Sequence, residues 1–468
     1  MASIRPFCLA PRRLPRDVLA RISSVQPVLN KLYDAVSKAE DFIADALGET
    51  ATACAWGARE LEAFRSSAPW QAEKPKLLLP NAVYLHGDDQ GASSHHPLTL
   101  TVGNVQAGEP YQLELVHNLH STERPDVLPG PMHAACEAIA AVARLVHPVE
   151  QCVAILTKPL GTLALRTRID VRGVGVALQK VHGVSTVIYV SMADLAQGEL
   201  DANGDLLVGG TRISVIYSRY DFSHPTGAFL SPREYKEQLS EAMRSEWRTI
   251  EMIERSNAVM SSSLGARLAN RRSIIRALTV EAGAMERFVE PEEAAMLRDV
   301  LPMPWDLLDG EQREILRERV TMSAPAGGVQ HESGPRFGRA PVVAKNLLRP
   351  RTGSGKTQDR KDSNGMLIED REELLRLLDD EKRRRFYVAY ERVTPAVEDA
   401  AVVVDGNTLV IDEALSEVAA YGVFAADASG RVLVNAHAGC GARIRPADPH
   451  HPLAAALGYG ALSTCRAG

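Results

Sequence analysis

Apolar residues with helix-type spacing alternate with short strand-type runs along this chain of 468 residues, and this alternation restricts the fold more than any other feature. Over residues 25–47 apolar side chains recur every three or four positions, which predicts an amphipathic helix. Residues 131–146 predict a second helix, and strands are predicted at 76–85, 111–116, 153–157, 186–190 and 212–218. Helices and strands in this order predict an α/β fold.

The second half of the chain carries the same kinds of pattern. Residues 322–341 are rich in Gly, Pro, Ala and Ser and predict a loop or linker. No internal repeat is visible. The predicted helices are 232–256, 264–279, much of 285–320 and 369–384, and the predicted strands are 342–348, 386–393, 415–426 and 432–435.

The composition is that of an ordinary globular protein, with 45% apolar and 24% charged residues. The 59 acidic residues outnumber the 53 basic ones and give a net charge of −6. A mildly acidic chain argues against a dedicated nucleic-acid-binding protein. No apolar stretch approaches the roughly 18 residues that span a bilayer, so no membrane partner is expected.

Cysteine usage and the N-terminus bear on the compartment. The six cysteines are scattered and form no C-x-x-C pair, which favours free thiols in a reducing compartment. The N-terminus lacks the apolar segment of a secretory signal. Pro6, Pro11 and Pro15 would break the helix that a mitochondrial transit peptide needs. We therefore expect a cytoplasmic protein.

Residues 352–357 (T-G-S-G-K-T) follow a predicted strand and resemble the end of a P-loop. A P-loop needs a glycine five residues before Gly355, but Pro350 occupies that position. The segment also continues through the polar residues 358–362 instead of opening a helix whose N-terminus would hold phosphate. The alternatives are a flexible Gly-rich cover over phosphates and a solvated surface loop.

Charged side chains lie on or just beyond several predicted strands. Such charges often line a cleft, because the loops at strand ends converge on one face of a sheet. Each one taken alone is more often an exposed strand-end charge. The residues are Glu114, Arg219, Glu391, Arg392, Glu417, Arg443 and Arg445.

Several short motifs occur in a fixed order along the chain: L-Y-D-A-V-S at 32–37, I-Y-S-R at 216–219, E-R-S-N-A at 254–258, Y-V-A-Y-E-R-V-T-P at 387–395 and L-S-E at 415–417. Taken in order, these segments resemble the eukaryotic-type glutathione synthetase family, a branch of the ATP-grasp ligases. That family reads L-V-D-A-V-S, V-Y-F-R and Y-I-L-M-E-K-I-E-P at three of these places. The resemblance covers nearly the whole chain and weakens over about residues 48–210.

The resemblance implies an ATP-grasp fold with an inserted α/β substrate-binding domain and a Gly-rich lid loop. Residues 1–130 would form the N-terminal part of the ATP-grasp core, and residues 131–228 the substrate-binding domain. Residues 229–468 would complete the core and carry the lid, with its Gly-rich loop at 349–365.

The same resemblance implies an ATP-dependent carboxylate–amine ligase that forms an amide (peptide) bond through an acyl phosphate. ATP and Mg²⁺ would be required. The partners would be small-molecule or peptide carboxylate and amine substrates, and the family's dimers imply a homodimer. Nothing in the sequence names the acyl or the amine substrate.

Site residues follow from the resemblance, position by position. The backbone around Tyr390, Arg392 and Val393 would meet adenine, and Glu417 would approach the ribose. The family carries Lys at four of the cationic positions where this chain has Arg, which keeps the charge. The remaining implied contacts are Arg272 (or Arg271), Arg349, Lys356 and Arg445 on the nucleotide phosphates, Arg219 and Arg443 on the substrate, and Glu114 as a metal ligand.

The chain departs from the family at the metal and substrate positions. Gly353 replaces the lid-loop acid, and Val116 stands where the family's metal-binding E-x-N strand has asparagine. Residues 156–170 lack the Glu and Gln that hold a γ-glutamyl head group. We therefore expect γ-glutamylcysteine to be a poor substrate. The alternative function is a catalytically impaired homologue that binds nucleotide or peptide without efficient turnover.

Overall fold

The computed structural model describes residues 5–53, 55–86, 98–104, 109–123, 126–220, 241–322, 339–346, 367–391, 397–448, 451, 453–457 and 460–468. It confirms a mixed α/β fold. The described helices are α1 Arg16–Val36, α2 Glu40–Ala53, α3 Ala55–Ala72, α4 Pro110–Glu123, α5 Met132–Val146, α6 Leu165–Lys180, α7 Met192–Ala196, α8 Glu241–Arg255, α9 Leu264–Ala269, α10 Arg272–Val280, α11 Pro291–Arg298, α12 Gly310–Met322, α13 Arg371–Asp379, α14 Glu381–Arg384 and α15 Leu453–Leu457.

The described strands run the whole length of the chain. They are β1 Phe7–Cys8, β2 Arg12–Leu14, β3 Lys76–Leu78, β4 Asn81–His86, β5 Leu98–Asn104, β6 Cys152–Leu156, β7 Thr186–Val190, β8 Glu199–Leu200, β9 Leu206–Val208, β10 Thr211–Arg212, β11 Val215–Ser218, β12 Val259–Met260, β13 Pro304–Trp305, β14 Arg339–Asn346, β15 Leu367–Asp370, β16 Tyr387–Glu391, β17 Val397–Val404, β18 Asn407–Ala426, β19 Val432–Pro446, β20 Ala461–Ser463 and β21 Cys465–Ala467.

A large central sheet organises the molecule, with its described strands in the order β17-β1-β20-β19-β18-β4-β5 and β3 on the far part of β18. Its axis is the long antiparallel pair β18 and β19. The two ends of the chain pair with each other. In the central sheet β1 pairs in parallel with β20 at Phe7 and Leu462, and β2 pairs in parallel with β21 in a separate two-stranded sheet. The central sheet therefore combines segments from the two ends of the sequence.

Helix α1 covers one face of this sheet through a buried amide. Asn30 donates from Nδ2 to the carbonyl oxygens of Val423 and Ala436, each at 3.2 Å. The register of β18 against β19 shifts between Tyr421 and Gly422, and a Cβ at Gly422 would collide with the Asn30 side chain. Glycine is therefore required where the amide of α1 approaches the irregular point of β18.

The opposite face of the central sheet packs on α5, which also packs on a parallel sheet of β12, β11, β6 and β7. Fully buried strands of this kind are rich in aliphatic residues, as in the C-V-A-I-L of β6. This sheet is the core of the predicted substrate-binding domain. The limits 131–228 of that domain stay a prediction, and β12 of the same sheet lies beyond residue 228.

A third sheet, with its described strands in the order β13-β16-β14-β15, has a core of its own. Leu316 and Val320 of α12 and Leu374, Leu377 and Leu378 of α13 are buried in that core. This sheet contains β16, the strand expected to meet adenine.

Two predicted elements are wrong in kind or extent. Residues 25–47 are not one helix, because α1 ends at Val36 and α2 begins at Glu40. The Ser37 hydroxyl donates to the Asp34 carbonyl oxygen at 2.7 Å and so competes with the helical backbone. Residues 111–116 are not a strand but belong to α4, and the strand that pairs with β4 is β5.

Most of the remaining sequence predictions agree with the structure to within a few residues, but the strands predicted at 415–426 and 432–435 are much longer in the structure, as β18 Asn407–Ala426 and β19 Val432–Pro446. Two predicted helical segments are divided. Residues 264–279 form two helices, α9 and α10, and residues 369–384 comprise the end of β15 followed by α13 and α14. The loop at 349–365, and with it any P-loop geometry, lies outside the described residues. None of the helices in the described part of the chain is long and apolar enough to cross a membrane.

Close packing of α6 on the start of α4 gives a stability prediction. A Cβ at Gly173 would lie only 2.1 Å from Cγ of the Tyr111 ring, so Gly173→Ala should lower the free energy of unfolding by about 1–3 kcal/mol. Gly161→Ala is the matched control, because nothing lies within 4 Å of its added Cβ, and its effect should stay within about 0.5 kcal/mol. Urea unfolding measures both, and equal effects would contradict this packing.

Candidate active site

Three of the predicted site residues lie together on the central sheet. Glu417 of β18 is directly opposite Arg443 of β19, and Arg445 follows two residues later. The intervening residues Ala442 and Ile444 are buried on the other face. Because side chains alternate along a strand, Glu417, Arg443 and Arg445 project from the same face of the sheet.

Glu417 and Arg445 form an exposed ion pair on that face. Arg445 donates from Nη2 to Glu417 Oε1 at 3.1 Å, and the two side chains are 44% and 29% exposed, respectively. A pair this exposed contributes about 1 kcal/mol or less to stability. Either side chain can therefore leave this ion pair to bind a ligand at a small cost in free energy.

Arg219 approaches from the parallel sheet. It directly follows β11 and donates from Nη2 to Asp170 Oδ2 at 3.0 Å. The other oxygen of Asp170 accepts hydrogen bonds from the backbone N–H groups of Tyr111 and Gln112, at 3.0 and 3.1 Å. One fully buried carboxylate on α6 therefore both caps the N-terminus of α4 and fixes Arg219.

Burial and charge act against each other at this pair. Burial raises the pKa of Asp170 to about 6, although Arg219 opposes the shift. Burial also acts to lower the pKa of Arg219, but Tyr217, Asp170 and Glu109 together outweigh it and leave that pKa above its ordinary value. Arg219 is therefore a permanent cation beside a carboxyl group whose pKa is raised to about 6.

Arg5 adds a further cation that the sequence did not predict. Its guanidinium is paired with Glu109, and its backbone N–H donates to Gln112 Oε1 at 3.3 Å. Arg443 and Arg166 are close enough for their charges to act, after burial, to lower the pKa of Arg5. We call Arg5, Arg166, Arg219 and Arg443 the arginine cluster, with Glu109 and Asp170 as its carboxylates.

Tyr421 connects the two walls of this site. It lies in β18 on the same face as Glu417, and burial raises its pKa to about 12, against the opposing effect of Arg443. Its phenol also interacts electrostatically with Glu109 and Asp170. The predicted substrate residues Arg219 and Arg443 thus belong to one charged site.

The strand expected to meet adenine lies in the third sheet. Tyr390 is buried in β16 between Pro304 of β13 and Val343 of β14. The next residue in β16, Glu391, pairs with Arg319 of α12. Arg392 and Val393 lie outside the described residues, as do Arg349 and Lys356 of the Gly-rich loop.

Chain connection brings this strand near the charged face of the central sheet. Five residues separate the end of β16 from Val397, the first residue of β17. Val397 is opposite Leu415 of β18, and Leu415 is opposite Arg445 of β19. Five residues span about 20 Å at most, so the end of the adenine strand is tied to the row that carries Arg445.

The structure separates the two adjacent arginines proposed for the phosphates. Arg271 is buried in an ion pair with Glu60 of α3 and therefore stabilises helix packing. Arg272 begins α10 and is only partly buried. Arg272 is thus the better candidate of the two for a phosphate contact.

The predicted metal ligand Glu114 is not on a strand. It lies in α4, where its Oε1 is 3.7 Å from His133 Nε2. The strand beside β4 is β5, and its sequence L-T-L-T-V-G-N has no carboxylate. Among the described residues, no group of three His, Cys, Asp or Glu side chains could hold a metal ion. The described residues therefore do not fit a magnesium site centred on Glu114.

Comparison with known proteins points to one family. No family model matches the chain. The chain is 24% identical over 447 residues to the chloroplastic glutathione synthetase of Solanum lycopersicum, covering 93% of this chain and 72% of the relative. It is 22% identical over 447 residues to the glutathione synthetase of Mus musculus, covering 93% and 84% of the two chains.

Similarity in structure agrees with similarity in sequence. A glutathione synthetase-like effector from Globodera pallida, solved in its apo form, superposes with a TM-score of 0.69 at 14% identity. The superposition covers 99% of this chain and 90% of that one, so the two share a fold. Over nearly its full length, the chain is therefore similar in sequence to glutathione synthetases and shares its fold with a glutathione synthetase-like protein.

Proposed function

We propose that this protein is an ATP-dependent ligase that joins a carboxylate substrate to an amine. One observation carries the proposal: Arg443 and Arg445 are two residues apart on one face of β19, with Glu417 opposite. Side chains so placed are about 7 Å apart, which suits a carboxylate at one and a nucleotide phosphate at the other. The named activity of the relatives, glutathione synthetase, is of this kind and supports the ligase over a binding-only homologue.

ATP is proposed to bind in the ATP-grasp manner, between the third sheet and the charged face of the central sheet. Adenine would meet the backbone around Tyr390, Arg392 and Val393. Arg445 would leave Glu417 for the phosphates, and the released carboxylate would accept hydrogen bonds from the ribose hydroxyls. Arg272, Arg349 and Lys356 are the further cations proposed for the phosphates.

The proposed reaction has two steps. An oxygen of the substrate carboxylate attacks the γ-phosphorus of ATP, giving an acyl phosphate and ADP. The amine then attacks the acyl carbon, and inorganic phosphate leaves as the amide forms. The role of the protein is mainly electrostatic: Arg443 and Arg219 fix the carboxylate, and Arg445 neutralises charge on the phosphates.

We further propose a homodimer in the cytoplasm, without a nucleic-acid or membrane partner. The net charge of −6 supports the exclusion of nucleic acid. Free cysteines support a reducing compartment: Cys8, Cys136, Cys152, Cys440 and Cys465 are all unpaired among the described residues.

Nucleotide binding is the first test of this function. ATP or ADP should raise the melting temperature, and a nucleotide at 100 times its Kd should add about 2.7 kcal/mol of stability. Because the described residues do not fit a magnesium site, the shift should depend only weakly on Mg²⁺. Arg445→Ala should abolish most of the shift, since it removes the phosphate-side cation of the Glu417 pair.

Arg376→Ala is the matched control for Arg445→Ala. Arg376 is 72% exposed on α13 and forms a surface pair with Glu372, so its loss should leave the nucleotide shift unchanged. Differential scanning fluorimetry measures all three proteins. If the folded wild-type protein shows no shift with any adenine nucleotide, the ligase proposal is wrong.

A further inference from the structure

The arginine cluster carries more positive charge than the two arginines expected on the substrate. Arg5 and Arg166 join Arg219 and Arg443, and the first of these comes from the segment just before β1. The two carboxylates of the cluster, Glu109 and Asp170, offset two of these four positive charges. Among the described groups of the cluster, the charge is therefore positive by two.

Both carboxylates already have cationic or backbone partners. Glu109 is paired with Arg5, and Asp170 holds Arg219 at 3.0 Å while accepting two backbone N–H groups of α4. A substrate ammonium group would have to displace an arginine or break the helix cap to reach either one. It would also be repelled by the surrounding guanidinium groups.

A buried hydroxyl provides an independent sign of a ligand. Tyr217 is 2% exposed, and its phenol oxygen makes no hydrogen bond with any described residue. Its hydroxyl lies near enough to Arg219, Asp170 and Tyr421 to interact with all three electrostatically. Since a buried hydroxyl costs free energy unless it is hydrogen-bonded, Tyr217 is suited to donate to an anion held by the cluster.

We propose that the arginine cluster binds an acyl substrate that has at least two carboxylates and no ammonium group beside them. That the bound molecule reacts as a substrate rests on the proposed function, whereas its binding to the cluster does not. Arg443 and Arg219 hold the carboxylate that reacts, while Arg5 and Arg166 hold the second one. Planar guanidinium groups bind carboxylates through paired hydrogen bonds, which gives both affinity and orientation.

A matched pair of ligands tests the proposal directly. γ-Glutamylcysteine and N-glutarylcysteine differ only in the ammonium group, which is a hydrogen atom in the second compound. Isothermal titration calorimetry without ATP should show that N-glutarylcysteine binds at least about tenfold more tightly. Equal affinity, tighter binding of γ-glutamylcysteine, or no binding of either compound would overturn the proposal.

Variants of the two additional arginines locate the second carboxylate. Arg5→Gln and Arg166→Gln should each weaken N-glutarylcysteine binding by about tenfold or more, because each loses one charged hydrogen-bonding partner. Arg13→Gln, at an exposed arginine of β2, is the matched control and should leave the affinity unchanged. Arg166 is only partly buried, so its variant should fold even if Arg5→Gln does not. Unchanged affinity in Arg166→Gln would overturn the assignment.

The two proposals fail in distinguishable ways. If N-glutarylcysteine binds as described but ATP and amines give no ADP, the ligase function is wrong while the specificity of the cluster stands. If ADP is released only with a substrate that carries the ammonium group, the ligase function stands and the specificity of the cluster is wrong.

Discussion

Asp170→Ala should lower the free energy of unfolding by about 3–5 kcal/mol. The substitution removes the fully buried carboxylate that pairs with the partly buried Arg219, and breaking a buried ion pair from one side has this magnitude. It also leaves the backbone N–H groups of Tyr111 and Gln112 without their acceptor. Urea unfolding followed by circular dichroism measures the loss.

Two further variants separate the roles of Asp170. Asp170→Asn retains an oxygen for the helix cap but not the charge, so its loss of stability should be clearly smaller than that of Asp170→Ala. Asp194→Ala removes another capping aspartate, which is exposed and joined to Ser191, and should cost about 1 kcal/mol. If Asp170→Ala costs no more than Asp194→Ala, Asp170 does not hold Arg219 as described.

Asp170 should also affect how stability depends on pH. Burial raises the pKa of its carboxyl in the folded protein to about 6, from an ordinary value of 3.8. Between these two values the unfolded chain has lost the proton that the folded protein still holds. This group therefore makes the free energy of unfolding fall as pH rises from about 4 to about 6. The difference in stability between wild type and Asp170→Asn should change over that interval.

Glutathione formation from γ-glutamylcysteine, glycine and ATP should be slower by about 100-fold or more in kcat/KM than with the mouse relative. Residues 156–170 are described throughout and contain neither Glu nor Gln, and the one acid in that stretch is Asp170. Asp170 is engaged by Arg219 and by α4, so the ammonium of the γ-glutamyl group meets no carboxylate there.

The assay should compare both proteins under the same conditions, with chromatography of the product and omission of glycine as controls. Glutathione formation at a rate comparable to that of the mouse enzyme would contradict this expectation. Such a result would also show that γ-glutamylcysteine is an efficient substrate of this protein.

The long strands of the central sheet could be predicted because they leave a local signature. The sequence predicted strands at 415–426 and 432–435, which lie within β18 and β19, and Glu417 is inside the first of them. Arg443 and Arg445 lie beyond the predicted strand 432–435, because β19 continues to Pro446. Arg219 was likewise expected at a strand end, and it directly follows β11. Local pattern therefore placed Glu417 in a strand and Arg219 at a strand end, whereas the part of β19 that carries Arg443 and Arg445 was not predicted.

The other half of the site depends on contacts that no local pattern reports. The run 111–116 alternates like a strand, yet Asp170, some 60 residues later, caps it as a helix. Arg5 is separated by 104 residues from Glu109, its ion-pair partner. Glu114 was misplaced for the same reason as the helix that carries it.

The pairing of the two chain ends sets an order in which this protein can be made. Phe7 of β1 lies beside Leu462 of β20, and β2 lies beside β21. These pairings join strands that are synthesised first to strands that are synthesised last. Arg5 reaches the arginine cluster from the segment that β1 anchors. Contacts between such distant segments form slowly, because a long loop must close before they contribute any stability. The pairing of β1 with β20 and of β2 with β21 can therefore be completed only after translation has passed residue 467.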